Sequence, residues 1–335
     1  MGNDYLGEIY DEVKSSIISD WLNQGLSEEE ILKELSIEKQ SESMFALIKK
    51  SSEDSLGYYK DHMYEIAYNE QAKTDEFISR QRQIWGAGLA ASQTMYIIAV
   101  ESAELFSKFV AEDLDGNKRQ SKQYSFLALQ HMHGRACQIF LEIFHLMRLG
   151  FADGAYSRWR TLYEICCCAE FIGHQGETIA KQYIEQSITD HQDYSWAKGA
   201  LDENGNKIDA GSFKRIQEIV TIDSGWGAQY KLACFTTHAS PQGTFGRLAN
   251  PMNDRVILVG HSYYGIATAA VHSAFCLSWI TVEFLTLFPH LDSLSKCKML
   301  RDWVDEIQEL YLTAHEKAFG EKTGENNKSD IAEND

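Results

Sequence analysis

The chain has 335 residues, of which 44% are apolar, 12% aromatic and 24% charged, a composition that excludes a disordered or fibrous protein. Its 31 basic residues stand against 49 acidic ones, a net charge of −18, which argues against non-specific binding to nucleic acid or an anionic membrane. The length allows one or two domains of about 100–200 residues each, and the absence of proline before Pro241 points to a helical chain.

Two short helices are predicted within the first 40 residues. Leu6, Ile9, Val13, Ile17 and Trp21 keep the helical period, and the stretch Ser27-Glu28-Glu29-Glu30 is a capping box that opens the second helix. From Ser43 a charged, amphipathic pattern runs to Asp113, with a break expected at Gly86-Ala87-Gly88 and a turn at Asp115-Gly116-Asn117. Residues 43–113 show few core anchors of their own, so this part resembles an arm.

The pattern is denser beyond residue 120. A helix over 125–149 carries Met132, Ala136, Ile139, Phe140, Ile143 and Met147 on one face and ends at Gly150. The next, over 155–173, is apolar on nearly every side and is expected at the centre of its domain. Further helices are expected over 178–200, 212–220, 225–237, 262–288 and 294–319, with Ser240-Pro241 starting a short turn. The expected fold is all-α: a helical extension over 1–115, a helical bundle over 120–320, and a disordered acidic tail over 321–335.

The cysteines are seven, with three consecutive at 166–168 and no CxxC. They read as buried apolar residues of a reducing cytosol, not as disulfides or zinc ligands. Between Arg255 and Glu283 no Asp, Glu, Lys or Arg occurs, a length that could span a membrane. Its Ser, Thr, His and Tyr residues favour a buried core helix instead. With no secretory signal at the N-terminus, the expectation is a cytoplasmic protein without a membrane partner.

Within the apolar helix, Arg160 and Glu164 are four residues apart and share a face with Cys167 and Phe171. Two readings stand side by side. A buried ion pair seldom adds net stability over apolar packing, so the pair either fixes helix register or lines a polar pocket that holds a ligand. The segments Gly134–Phe140, Arg158-Trp-Arg-Thr-Leu-Tyr-Glu164, Tyr183 and Tyr230–Pro241 resemble the bacterial helical family called domain of unknown function 5677 over roughly residues 120–290. The resemblance implies an all-α bacterial protein, with Arg160, Glu164 and His238 as its polar positions. A guanidinium in such a pocket suits a carboxylate or phosphate, with His238 adding a proton or a hydrogen bond.

A second spacing, Arg255 and His261 in Arg-Val-Ile-Leu-Val-Gly-His, resembles the R-x(4–6)-H motif of HEPN ribonucleases. That resemblance implies metal-free RNA cleavage, with His261 moving a proton and Arg255 stabilising phosphate charge. It departs from the pattern at Val256, where a polar residue is usual. His131, Arg135, Gln138, Glu142 and His145 form a solvated stripe, and Glu142 with His145 has no matching second motif, so no metal is expected. No cofactor loop of the phosphate-cradling or dinucleotide type occurs.

Three functions follow as expectations. The first is a ligand- or partner-binding module of bacterial stress or phage-defence type, built on Arg160, Glu164 and His238. The second is a ribonuclease toxin using Arg255 and His261, which alone would bring a nucleic-acid partner. The third is an assembly protein that pairs through its N-terminal helices with a second copy or another chain.

Overall fold

The computed structural model describes residues 5–34, 37–190, 193–202, 204–222, 225–238, 240–250 and 257–320. Among these the regular structure is helical throughout, with one isolated bridge between Leu201 and Lys207. The chain forms two compact units, Met1–Lys73 and Thr74–Asp335.

The first unit holds α1 (Tyr5–Asn23), α2 (Glu28–Glu34) and the start of α3 (Ile37–Glu112). The capping box forms as its residues dictate: the Glu30 carboxylate accepts from the backbone and hydroxyl of Ser27, and the Glu30 amide donates to that hydroxyl. Helix α3 continues without interruption past residue 73, and the break expected at 86–88 does not occur. Its second half belongs to the second unit's core, where Trp85, Met95, Phe106 and Val110 are all buried. An extension reaching to residue 115 thus runs past the observed boundary, because these four anchors sit on the face turned into the core.

Gly88 explains the uninterrupted helix. A Cβ there would lie 2.8 Å from the Tyr311 ring, so the glycine marks a close helix approach and not a stop. Tyr311 then bonds Ser92 at 3.1 Å, one turn along.

The second unit continues with α4 (Gly116–Ser121), α5 (Gln123–Arg148), α6 (Ala152–Gln175) and α7 (Glu177–Gln186). It ends with α8 (Phe213–Ile219), α9 (Trp226–Thr237), α10 (Pro241–Phe245), α11 (Ile266–Leu285) and α12 (Leu291–Phe319). Helix α5 closes in a Schellman arrangement: the Phe151 amide reaches Leu146, the Gly150 amide reaches Met147, and Gly150 takes φ +74°. The helix expected over 178–200 stops at Gln186. That side chain instead accepts from Ser195 and Trp196 across a loop, and so fixes the single 3-10 turn Ser195–Ala197. Ser240 caps α10 with Pro241 in its first turn, as its sequence requires.

The uncharged segment becomes α11, which packs against α5, α6 and α12. It is long and apolar enough to cross a membrane, and 67% of its apolar window is buried inside the protein. Ala269, Ala270, Ser273, Ala274 and Cys276 let the neighbours approach closely. Helix α6 contributes Tyr156, Trp159, Tyr163 and the three cysteines to the same core, all of them buried. Residues 321–335, expected as a tail, lie outside the described residues.

Gly86 and Gly88 of α3 predict opposite effects. Gly86 faces open space, so Gly86→Ala should stabilise the fold by roughly 0.5–1 kcal/mol through helix propensity alone. Gly88→Ala gains the same propensity but must displace Tyr311, at an overpacking cost of about 1–3 kcal/mol, so a net loss is expected. Chemical denaturation of the two variants measures both signs.

Candidate functional site

Helix α6 carries Arg160 and Glu164 one turn apart, and both side chains keep 27% of their surface exposed on a helix otherwise surrounded by core. An Arg Nη2 atom lies 3.0 Å from Glu164 Oε1. Arginine before glutamate opposes the helix dipole, which makes the pair alone a poor one. A third side chain completes it. Tyr230 of α9 donates its hydroxyl proton to Glu164 Oε1 at 2.6 Å and accepts from Arg160 Nε at 3.2 Å. The guanidinium also lies 5.3 Å from the centre of the Tyr230 ring, within cation–π range.

The hydroxyl thereby uses one donor and one acceptor at once, which only an un-ionised tyrosine can do. Burial, followed by the hydrogen bond to Glu164, holds its ionisation well above the ordinary tyrosine range. Helix α9 is placed for this by further polar contacts with α6. Tyr156 donates to Gln229 at 2.7 Å, and Ser157 meets Thr236 at 2.9 Å. Around the triad stand Tyr163, whose hydroxyl accepts from Gln217, and Phe213, whose ring lies 5.3 Å from that of Tyr230 and 6.3 Å from Tyr194. The result is a partly open charged pair inside an aromatic collar.

His238, expected with this pair, sits at the exposed C-terminal cap of α9. It lies eight residues past Tyr230, about 12 Å along the helix at 1.5 Å per residue. The structure joins Arg160 and Glu164 to Tyr230, not to His238. Tyr230 carries no local signal of this role beyond the α9 face it shares with Trp226 and Ala233, because its partners come from another helix.

The ribonuclease resemblance finds no support. Arg255 lies outside the described residues. His261 has both ring nitrogens engaged, donating Nδ1–H to the Leu149 carbonyl at 2.6 Å and lying 3.3 Å from Thr74 Oγ1 through Nε2. Its ring stacks on Phe77 at 4.8 Å, so it ties the α5–α6 turn to α3.

The stripe on α5 lies as expected: His131, Arg135, Gln138 and His145 are exposed, and Glu142 pairs with Arg158 of α6. His133 points the opposite way, into the core, where it meets Thr281 at 3.1 Å and burial lowers its pKa to about 4. Among the described residues no group of three or more His, Cys, Asp or Glu side chains could hold a metal ion. The thiols of Cys137 and Cys168 are pushed up to about 12 by burial.

Sequence sequestered in buried helices also hides Glu170, which is fully buried yet satisfied. Its carboxylate accepts from the amide and hydroxyl of Thr221 and from the Ile222 amide, closing the turn after α8. A buried carboxylate needs such donors, and these remove it from the list of reactive candidates.

Residues 126–223 match a family described as one of unknown function, DUF5677. The matched stretch starts at the first turn of α5 and passes through α8. It therefore contains Arg160 and Glu164 and ends before Tyr230, His238 and His261, a shorter span than the 120–290 resemblance read from the sequence. No curated protein and no solved structure matches the chain.

The triad predicts a contrast between two substitutions. Tyr230→Phe keeps the ring but strips both hydrogen bonds from a partly buried pair, and should cost about 1–3 kcal/mol. His238→Ala removes an exposed side chain and should stay within about 0.5 kcal/mol of the parent. Urea titrations of both variants test the assignment; equal losses would show that the bridge contributes nothing of its own.

Proposed function

We propose that the helical unit is a binding module whose recognition centre is the Arg160–Glu164–Tyr230 triad. The observation that carries this reading is the exposure of the pair: a charged couple on the central helix, open to solvent through an aromatic collar. Such a pair gives little net stability compared with apolar packing, so stability alone is a weak reason for its presence on this helix. The guanidinium is held in place by Glu164 and Tyr230, and its remaining N–H groups suit the oxygens of a carboxylate or phosphate. The collar supplies ring faces for an apolar body attached to that anion. His238 belongs to the same site only for a ligand that spans the roughly 12 Å between it and Tyr230.

The test titrates the full chain with phenyl phosphate, benzoate and the neutral benzyl alcohol, followed by calorimetry. The anions should bind and the alcohol should not. Arg160→Gln should abolish anion binding, and Arg160→Lys should weaken it by removing the planar fork. Equal binding of the alcohol, or anion binding that survives Arg160→Gln, would end the reading.

A specific observation favours a second role, assembly with another copy of this chain. In the first unit, Phe45, Ile48, Leu56, Tyr59 and Met63 of α3 are between 47% and 67% exposed. At 100° per residue these five fall within a stripe about 80° wide on the helix surface, while Met44, Tyr58, Tyr64 and Tyr68 of the same segment are exposed on its other sides. Lys49 and Glu53 pair beside the stripe, one turn apart. A second copy offers the same stripe and the same flanking charges, so a two-fold pairing is self-complementary. Light scattering should give a dimer, and Leu56→Lys with Tyr59→Glu should give a monomer that melts as before in its second unit. A monomeric parent chain would remove this role.

A further inference from the structure

Helices α11 and α12 enclose a cavity of about 230 Å³ that the triad does not use. It is smaller than the roughly 300–1,000 Å³ of pockets for drug-sized ligands, so its occupant is small. Phe275, Trp279, Val282 and Val304 form apolar walls, and the two aromatic rings lie 5.6 Å apart. They end a continuous aromatic row, since Phe275 stacks on Trp226 at 4.7 Å.

Two polar groups in this lining lack partners. The Trp279 indole nitrogen is buried without a hydrogen bond. The half-buried Glu283 carboxylate makes no hydrogen bond or ion pair among the described residues. A Cβ at Gly173 of α6 would stand 2.9 Å from Glu283 Oε2, so the carboxylate lies close against α6 at this glycine. Arg301 and Asp305 stand one turn apart on α12 at the exposed rim. With the fully buried Glu170 acting on Glu283 from α6, the charge around the cavity is negative on balance.

We propose that this cavity is a binding site for a small arylalkyl amine, its ammonium on the Glu283 carboxylate and its ring against Phe275 and Trp279. Cations are attracted to aromatic faces as well as to a carboxylate, whereas an anion would meet Glu283 and Asp305 with like charge. The site stands apart from the triad and does not depend on the function assigned to it.

Protonation gives a second, variant-free handle. Burial, then the neighbouring Glu170, raise the Glu283 pKa to about 7, while Arg301 lowers it. The charged or titratable groups that act on this carboxylate are Glu170 from α6 and Arg301 with Cys297 from α12, and Asp305 shares the cavity. Ionisation of Glu283 between pH 6 and pH 8 therefore turns on the attraction for an ammonium that is itself charged throughout that range.

The experiment titrates the full chain with phenethylamine, 2-phenylethanol and phenylacetate by calorimetry at pH 6, 7 and 8. Phenethylamine should bind at least tenfold more tightly than the alcohol at pH 8, and phenylacetate should not bind. The amine affinity should rise about tenfold from pH 6 to pH 8, following the ionised fraction of a group near pKa 7. Glu283→Gln should erase both the preference and the pH dependence. Equal affinity for amine and alcohol, a flat pH profile in the parent chain, or no amine binding at pH 8 would each overturn the proposal. The parent-chain series decides the matter even if Glu283→Gln fails to fold.

Discussion

A helix with seventeen consecutive residues free of Asp, Glu, Lys and Arg has to be surrounded, and the second unit is arranged around that requirement. Helix α11 offers no ionic group from Ile266 to Val282, so water must be kept from most of its surface. Its small residues set how near α5, α6 and α12 can come, and its larger ones, Leu277, Ile280 and Phe284, fill the space between them. Two of its hydroxyls are answered inside the helix itself: Ser273 and Thr281 donate back to carbonyls three and four residues earlier. The helix is encased on three sides by α5, α6 and α12. Its remaining side carries His272, Phe275 and Trp279, which connect it to the tryptophans of α6 and α9.

Burial of this kind leaves the neighbouring helices with the task of meeting solvent, and α6 does so sparingly. Its charged groups fall into separate arrangements, the first being Asp153, which pairs with Arg247 and accepts from the Leu248 amide. Glu170 is closed off by backbone donors, Arg158 pairs across to α5, and Arg160 with Glu164 is left part-open under Tyr230. Only the last arrangement combines charge, exposure and aromatic surface. That combination, more than any single residue, distinguishes a place for recognition from an ion pair that merely holds helices together.

What the sequence shows and what it hides divide along the reach of the interactions. The capping box at Ser27 and Glu30, the glycine closure after α5 and the Ser240-Pro241 start are all short-range, and each is written within four residues of itself. Periodicity likewise gives the buried faces of α5 and α12 and the all-round burial of α6. Gly88 misleads because the ring that requires it, Tyr311, lies more than 200 positions away, and in isolation a glycine pair looks like a break. The end of α7 is hidden for a similar reason: Gln186 stops the helix by serving a loop, a role that its helical propensity does not reveal. Arg160 and Glu164 are visible as a pair through their spacing. Tyr230, which decides the geometry of that pair, is joined to it only by the packing of α9 on α6. His238 and His261 were chosen by residue type and neighbourhood, and packing gives one an exposed helix end and the other a tie between helices.

The cysteines give the molecule an internal gauge of its own motion. Six of the seven are buried, five of them in α5, α6 and α11, while Cys234 on α9 alone is partly reachable. A thiol sealed in the core reacts with a solvent reagent only when the helices above it part, so its modification rate counts openings rather than chemistry. Because three of the six occupy successive positions on α6, they face different neighbours, and each times the separation of a different packing surface. The run read from the sequence as buried apolar residues thus makes the central helix a set of separately readable clocks for local unfolding.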